Sequence, residues 1–331
     1  MRLGECCKTN LQTYSGKEQW DLIRYLDTGN ITEGKMGEVQ FLYPGKDKIP
    51  SRARRKVSVG DILFSTVRPN QKHYGIVEEK IENLLVSTGF TVVTVDATIA
   101  DPYFIYYFLT RPSVIESLQA IAEQSTSTYP SIKPSDIEDI EIDLPELATQ
   151  KKIGSMLRML DKKNTINNEI NDNLQQQALA IFQQEFLREG ELPDGWTSGS
   201  LLDIANYLNG LAMQKFRPAD GESGLPVLKI KELRQGSCDA SSELCSPSIK
   251  PEYIVHDGDV IFSWSGSLLV DLWCGGTCGL NQHLFKVTSD KYHKWFYYAW
   301  TAHHLARFVA IAADKATTMG CLLYTSDAAD E

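Results

Sequence analysis

The chain nearly repeats itself at a spacing of about 190 to 198 residues, and this internal similarity restricts its fold more than any other feature. Three segments of the first half have counterparts in the second half, in the same order: 59–65 with 257–263, 104–108 with 295–299, and 120–128 with 310–318. The offset drifts slowly, as loop insertions would cause. Three matches in register are not expected by chance, so the sequence predicts two copies of one domain.

The length of the chain agrees with two domains. Its 331 residues exceed the ~100–200 residues of a typical single domain. We expect a first domain over 1–146, a connector over 147–190 and an incomplete second domain over 191–320. Residues 321–331 match nothing in the first copy, and we interpret them as a tail foreign to the protein or as a premature end.

Each copy is predicted to have an α/β (α+β) fold. A Gly-Asp turn leads into the apolar runs 62–64 and 260–262, which is typical of a buried strand entered from a tight turn. Residues 86–95 are rich in Val and Thr and predict a second strand. Pro102 suits the first turn of a helix, because proline has no amide hydrogen to leave unpaired. The large aromatic residues of this helix and of its counterpart are expected to pack in the core: Phe104, Phe108, Trp295 and Phe296.

The connector is predicted to be one long helix. Residues 147–187 contain no proline and a single glycine, Gly154, whereas Pro145 precedes the run and Gly190 and Pro193 follow it. A helix of this length would span about 60 Å.

One face of the connector has the spacing of a coiled-coil seam. The apolar seam positions are Ile153, Leu157, Leu160, Leu174, Ala178 and Ile181, and the same frame places Asn164, Asn167 and Asn171 on the seam. Asparagine at such positions lowers stability but fixes register and partner number. The seam therefore requires a second helix, which would pair antiparallel with the first and which the repeat places after the second domain.

Positive charge is concentrated in one short segment of the first copy, although the whole chain carries a net charge of −10. Residues 46–73 hold eight Lys or Arg and two Asp, a local charge of +6. Such a stripe on an acidic chain is typical of a phosphate-contacting face. The candidate DNA-binding residues here are Arg52, Arg54, Arg55 and Lys56, followed by Arg68, Asn70, Gln71, Lys72 and His73. A solvated charged loop remains the alternative.

The second copy offers similar side chains. Asn281 and Gln282 have the amide chemistry that pairs with adenine, as Arg does with guanine. Hydroxyl-rich loops recur in both copies and contribute the candidate phosphate contacts Thr128, Lys315 and Thr317. For both features the alternative is a polar turn without a ligand.

Signals for other functions are weak. The Cys238, Cys245, Cys274 and Cys278 spacings are unlike the C-x2-C pairs of zinc sites, so no metal site is expected. We find no phosphate-binding loop, no methyltransferase Asn-Pro-Pro-Tyr motif and no paired catalytic carboxylates, so no catalytic residue is assigned. The chain has no apolar run long enough for a membrane span and no signal peptide. Its seven cysteines indicate reduced thiols, and we expect a cytoplasmic protein.

Several segments resemble the specificity subunit of type I restriction–modification systems. They are 25–31, 60–70 and 84–90 in the first half, and 192–196, 258–263 and 280–283 in the second. The resemblance implies two target recognition domains, each reading one half of a bipartite site in double-stranded DNA, and connecting helices that set the spacing. It also implies docking to methylation (M) and restriction (R) subunits. S-adenosylmethionine and ATP with Mg would bind to those partners, and no cofactor would bind to this chain.

Two other functions remain open at this point. The chain could be a non-enzymatic scaffold that binds a protein partner along the long helix, or the recognition module of a fused adenine methyltransferase. DNA binding through several Lys and Arg would weaken steeply between about 50 and 200 mM salt. This salt dependence distinguishes a DNA-binding protein from the scaffold.

Overall fold

A computed structural model of the chain describes residues 1–15, 17–125, 129–187 and 193–315, with the backbone alone at 313–315. The chain forms two compact units, Met1–Asp172 and a second one that begins at Asn173. Both units combine helices with β-sheets, which confirms the predicted α/β class. None of the described helices is both long enough and apolar enough to span a membrane.

The first unit begins with short strands and ends with helices. Its strands are β1 (Cys7–Thr9), β2 (Ile23–Leu26), β3 (Ile31–Thr32), β4 (Lys35–Met36), β5 (Gln40–Leu42), β6 (Ala53–Lys56), β7 (Ile62–Ser65), β8 (Tyr74–Ile76), β9 (Leu84–Ser87) and β10 (Phe90–Val95). Its helices are α1 (Pro102–Leu109), α2 (Pro112–Glu123), α3 (Pro134–Glu138) and the start of α4 (Leu147–Phe186). Short 3-10 helices cover Leu3–Glu5, Thr28–Asn30 and Pro69–Gln71.

The second unit has the same kinds of element. Its strands are β11 (Asn206–Asn209), β12 (Leu225–Leu228), β13 (Leu244–Cys245), β14 (Ile254–Val255), β15 (Val260–Ser263), β16 (Leu269–Leu272), β17 (Cys278–Leu280) and β18 (Leu284–Thr288). Its helices are α5 (Leu201–Ile204), α6 (Ile230–Gln235) and α7 (Lys294–Lys315), with 3-10 helices at Met213–Lys215 and Pro251–Tyr253.

The two units share one sheet topology, as the repeat predicts. In the first unit the strand orders are β1-β10-β7-β8 and β5-β2-β9-β6, and in the second they are β11-β18-β15-β16 and β13-β12-β17-β14. The second sheet of each unit contains one parallel pair of strands: β2 with β9 in the first unit, and β12 with β17 in the second. Leu26 pairs with Val86, and Leu228 pairs with Leu280. The turns at 87–89 and 281–283 are therefore equivalent positions of the two copies.

The start of helix α1 and the burial of its aromatic side chains agree with the sequence. Asp101 precedes the helix, and its carboxylate accepts a hydrogen bond from the Phe104 amide at 3.0 Å. Phe104 is buried against the sheet, as expected, and Phe108 is partly buried.

The counterpart helix α7 differs at its first turn. Trp295 is 54% exposed, so the expectation of core packing is wrong for this side chain, whereas Phe296 is partly buried. The first turn of α7 presents Trp295 away from the sheet, and its ring contacts Phe186 and Phe296 instead.

The predicted connector helix is confirmed as α4, which runs unbroken from Leu147 to Phe186. Its beginning packs on the first unit, where Gly154 is buried against α1. Its end packs on the second unit, where the buried Phe182 ring contacts Trp300 edge-on at 5.0 Å between centroids. Each unit therefore includes one part of α4 in its own packing.

The seam positions of α4 are largely exposed. Among the described residues Ile153, Leu160, Leu174 and Ile181 are between 39% and 63% exposed, and Leu157 is partly buried. The seam asparagines are exposed as well: Asn164, Asn167 and Asn171. Their pairing with a second, antiparallel helix stays a prediction.

Candidate nucleic-acid interface

The basic run 52–56 forms an edge of the second sheet of the first unit. Strand β6 pairs with β9 on one side, and on the other side its backbone bonds to residues 12–14. The Arg54 carbonyl accepts from the Tyr14 amide at 2.7 Å, and the Lys56 amide donates to the Gln12 carbonyl at 3.2 Å. The backbone of this edge is thus used within the unit, so only its side chains are available to a ligand.

These four side chains are not equally available. Arg52 and Arg54 are exposed. Lys56 forms an ion pair with Glu18, and this hydrogen bond is the main cause that lowers the pKa of the Glu18 carboxyl. Arg55 reaches the Thr13 hydroxyl at 3.5 Å, while its Nε atom is buried without a hydrogen-bond partner among the described residues.

The loop between β7 and β8 carries the second group of predicted contacts. It turns sharply, because Arg68 and Lys72 both adopt the left-handed backbone conformation, with φ of 48° and 58°. The loop is also tethered: the Arg68 amide donates to the Pro130 carbonyl at 3.0 Å, and the Asn70 amide to the Gln119 side-chain oxygen at 3.2 Å. Such a loop presents its side chains in a fixed arrangement.

Three side chains of this loop point to solvent and two are bound within the unit. Arg68, Asn70 and Gln71 are exposed, and the Arg68 guanidinium lies 5.3 Å from the Tyr129 ring centroid. Lys72 forms an ion pair with Glu33 at 2.6 Å. The His73 ring nitrogen Nδ1 lies 2.7 Å from the Ile31 carbonyl and so donates to it.

Two of these elements meet at the turn 87–89. The Thr88 amide donates to the Arg52 carbonyl at 2.9 Å, and the Thr66 amide at the start of the loop donates to the Gly89 carbonyl at 2.8 Å. The structure therefore brings Arg52 and the loop of Arg68 to one end of the parallel strand pair. Both belong to the basic segment 46–73, whereas the turn that joins them comes from a later part of the chain.

The equivalent turn of the second unit contains both predicted amides. Asn281 is buried, and its side-chain oxygen accepts from the His283 amide at 3.2 Å, so it holds the turn. Gln282 is partly exposed, and its amide nitrogen lies 3.4 Å from the His283 ring. Of the two, Gln282 is the one that can reach a ligand.

A groove of about 410 Å³ opens beside this turn. It is lined by Gln214, Arg217, Lys229, Lys231, Glu243 and the turn 281–283. The three cations were not among the residues singled out in the sequence, because Arg217 lies on one segment and Lys229 and Lys231 on another, and neither segment forms a basic run. Aligning the parallel strand pairs of the two copies identifies Lys229, which follows β12 directly, just as Asp27 follows β2.

Each cation of the groove has a carboxylate partner in the same unit. Arg217 and Lys229 both pair with Glu243, at 3.3 and 2.8 Å. The hydrogen bond from Lys229 is the largest cause that lowers the pKa of the Glu243 carboxyl. Lys231 pairs with Asp239 at 3.6 Å.

A larger cavity of about 590 Å³ in the first unit is lined by none of the predicted DNA contacts, although the seam residue Asn164 is part of its lining. Two of its carboxylates are held by neighbouring side chains: Arg158 donates to Glu78 at 3.0 Å, and Tyr107 donates to Asp161 at 2.6 Å. The lining contains three cations and three carboxylates, so the cavity has no excess charge of either sign to attract a charged ligand.

The remaining predicted contacts and the candidate metal ligands add no site. Thr128 and Thr317 are outside the described residues, as is the side chain of Lys315. No group of three or more His, Cys, Asp or Glu in the described part of the chain could hold a metal ion. Burial raises the pKa of the Cys7 and Cys278 thiols, so both stay protonated and unreactive near neutral pH.

Comparison with known proteins finds a family model that is similar to most of the first unit. Residues 23–176 match the family model described as type I restriction modification DNA specificity domain. A 165-residue stretch is 31% identical to the type I restriction enzyme HindI specificity subunit of Haemophilus influenzae, and it covers 50% of this chain and 36% of that one. This chain thus matches about a third of that relative's length.

Other relatives extend the similarity over both units. The type I restriction enzyme MjaIX specificity subunit of Methanocaldococcus jannaschii is 23% identical over 299 residues, which cover 76% of this chain and 67% of that one. The crystal structure of a type I restriction-modification system S subunit from M. genitalium is similar with a TM-score of 0.51 at 14% identity, over 95% of this chain and 79% of that one. At this identity the likeness shows the fold.

Proposed function

We propose that the chain is a specificity subunit of a type I restriction–modification system, which binds double-stranded DNA and provides the sequence specificity of a larger complex. Each unit would read one half of a bipartite site.

One observation supports this proposal more than any other. In both units the same turn, at the end of the same parallel strand pair, is surrounded by cationic and amide side chains. Around 87–89 they are Arg52 and the loop of Arg68, and around 281–283 they are Lys229, Arg217 and Gln282. The two units thus keep this position polar and cationic but use different residues there. This is what we expect if each unit binds a different half-site.

The exposed groups divide by chemistry into two kinds of DNA contact. Arg52, Arg54 and the cations of the groove would contact phosphates, which gives affinity without sequence information. Arg68, Asn70, Gln71 and Gln282 would contact base edges, because Arg pairs with guanine and amides pair with adenine.

We assign no catalytic step to this chain. In the proposed complex, methylation (M) subunits would bind S-adenosylmethionine and restriction (R) subunits would bind ATP and Mg. The exposed apolar side of α4 would pair with a second helix and take part in docking these subunits, and the length of α4 would set the gap between the half-sites. A cytoplasmic location is part of the same proposal.

Selection of bound duplexes from a random pool, followed by sequencing, tests the proposal. We expect an enriched site of two short elements separated by a gap of fixed length and free sequence. Binding that enriches no sequence, or binding that stays constant between about 50 and 200 mM salt, would favour a protein-interaction scaffold instead.

A further inference from the structure

The lysines of the candidate interface are already ion-paired within their own units. Lys56 pairs with Glu18, Lys72 with Glu33, and Lys229 with Glu243. The pattern recurs in both copies although the partners come from different segments. A phosphate that binds such a lysine competes with a carboxylate for the same ammonium group.

Glu243 is the strongest instance, because it holds two cations of one groove. One carboxylate oxygen lies 2.8 Å from Lys229 Nζ and the other lies 3.3 Å from Arg217 Nη1. The backbone of Glu243 is fixed as well, since its carbonyl accepts from the Val227 amide at 2.7 Å. Two oxygens facing two cations resemble the way a phosphate would be held there.

Displacing this carboxylate has an electrostatic cost. All three side chains are between 38% and 49% exposed, so each ion pair is weak and exchange is feasible. After exchange, however, Glu243 would stand unpaired next to a phosphate of the same sign. The cost applies to any duplex, because every duplex presents phosphates.

We propose that Glu243 is an internal competitor for the phosphate backbone, which keeps Arg217 and Lys229 occupied in the free protein and so lowers the sequence-independent affinity for DNA. This inference rests on the proposed DNA-binding function. The consequence is higher selectivity. A smaller fraction of the protein is bound to unrelated DNA, and contacts to the bases must supply more of the binding free energy.

Substituting Glu243→Gln tests the inference, because glutamine keeps the size and removes the charge. Binding of the full chain to a fluorescent duplex of random sequence would be measured by anisotropy between about 50 and 200 mM salt. We expect the E243Q chain to bind about three- to tenfold more tightly at the low-salt end, with a steeper dependence on salt.

The matched control is Glu252→Gln. Glu252 is an exposed carboxylate of the same unit that forms no hydrogen bond or ion pair within the described part of the chain. E252Q makes the same change in net charge, so we expect a much smaller gain. A third comparison adds E243Q to a chain that already carries R217Q and K229Q, where the competitor has nothing left to hold and its removal should have no more effect than E252Q.

The outcomes separate the inference from the function on which it rests. If the unmodified chain binds no duplex, the proposed function fails. If it binds DNA but E243Q equals E252Q, or if E243Q keeps its full effect without Arg217 and Lys229, the competitor role is wrong. A melting curve for each variant shows whether the fold is retained.

Discussion

Gly154 of α4 lies against Asp101, the residue that caps α1, so closely that a Cβ atom on Gly154 would stand 2.5 Å from Asp101 Oδ1. The contact is reinforced one turn earlier, where the Gln150 side chain accepts from the Asp101 amide at 3.0 Å and donates to the Pro145 carbonyl at 2.8 Å. The start of the long helix is thus fixed on the first unit at a point where no larger residue fits.

Gly154→Ala should therefore destabilise the first unit. In a free helix alanine is favoured over glycine by about 1 kcal/mol, whereas here the added methyl group overlaps Asp101 and crowds the Phe104 amide at 3.0 Å. We expect a net loss of about 1–3 kcal/mol, measured by denaturant unfolding. Ser155→Ala, at the next and exposed position, is the control and should be neutral. Equal stability of the two variants would contradict the packing described.

Replacing Arg52 and Arg54 by Ala should weaken binding to all duplexes alike. Both side chains are exposed at the sheet edge, and a phosphate contact carries no sequence information. The slope of log K against log salt should become shallower by about 0.9 for each arginine that neutralises a phosphate. Arg111→Ala, which removes an exposed arginine beside Phe108 at the start of α2, serves as the control. A weakening confined to particular sequences would argue against phosphate contacts.

Replacing Arg68 or Gln71 by Ala should instead relax the preference at individual base pairs. The loop that carries them is held by Pro130 and Gln119, so each side chain reaches a defined position. Discrimination at the affected position should fall by about 1–3 kcal/mol, measured by repeating the site selection with each variant. A uniform decrease in affinity for all sequences, with unchanged base preferences, would indicate that this loop contacts the DNA phosphates and not the bases.

Inserting four residues near Asn168 should lengthen the gap between the half-sites. The insertion adds ~6 Å to α4, close to two base pairs of DNA, and turns the helix by about 40°. The half-sites themselves should not change, because Asn168 is exposed and no recognition loop is altered. Sequencing of the selected sites reads out the gap directly. An unchanged gap would mean that something other than α4 sets the spacing.

Local patterns in the sequence were sufficient to predict the architecture. The absence of proline over 147–187 predicted α4 to within one residue of its end, because helix length depends on local signals. The repeat of Gly60-Asp61 with Gly258-Asp259 predicted two similar domains, and β7 and β15 follow these turns in equivalent sheets.

The interface was less predictable, because its contacts depend on long-range pairing. The distribution of charge identified the run of Lys56, but nothing local indicates that Glu18, 38 residues earlier, neutralises it. Nothing in the sequence around His73 indicates that the ring of this residue forms a hydrogen bond with the Ile31 carbonyl. Likewise Arg217, Lys229 and Glu243 meet only because β12 and β13 lie side by side.

One unbroken helix supplies core contacts to both units, and this has a consequence for folding cooperativity. Gly154 completes the packing of the first unit, and Phe182 that of the second. If one unit unfolded, its part of α4 would lose the tertiary contacts that stabilise it. Isolated helices shorter than ~12–15 residues are only marginally stable in water. The two units would then share part of their stability, so that a destabilising change in one core would also weaken the other through α4.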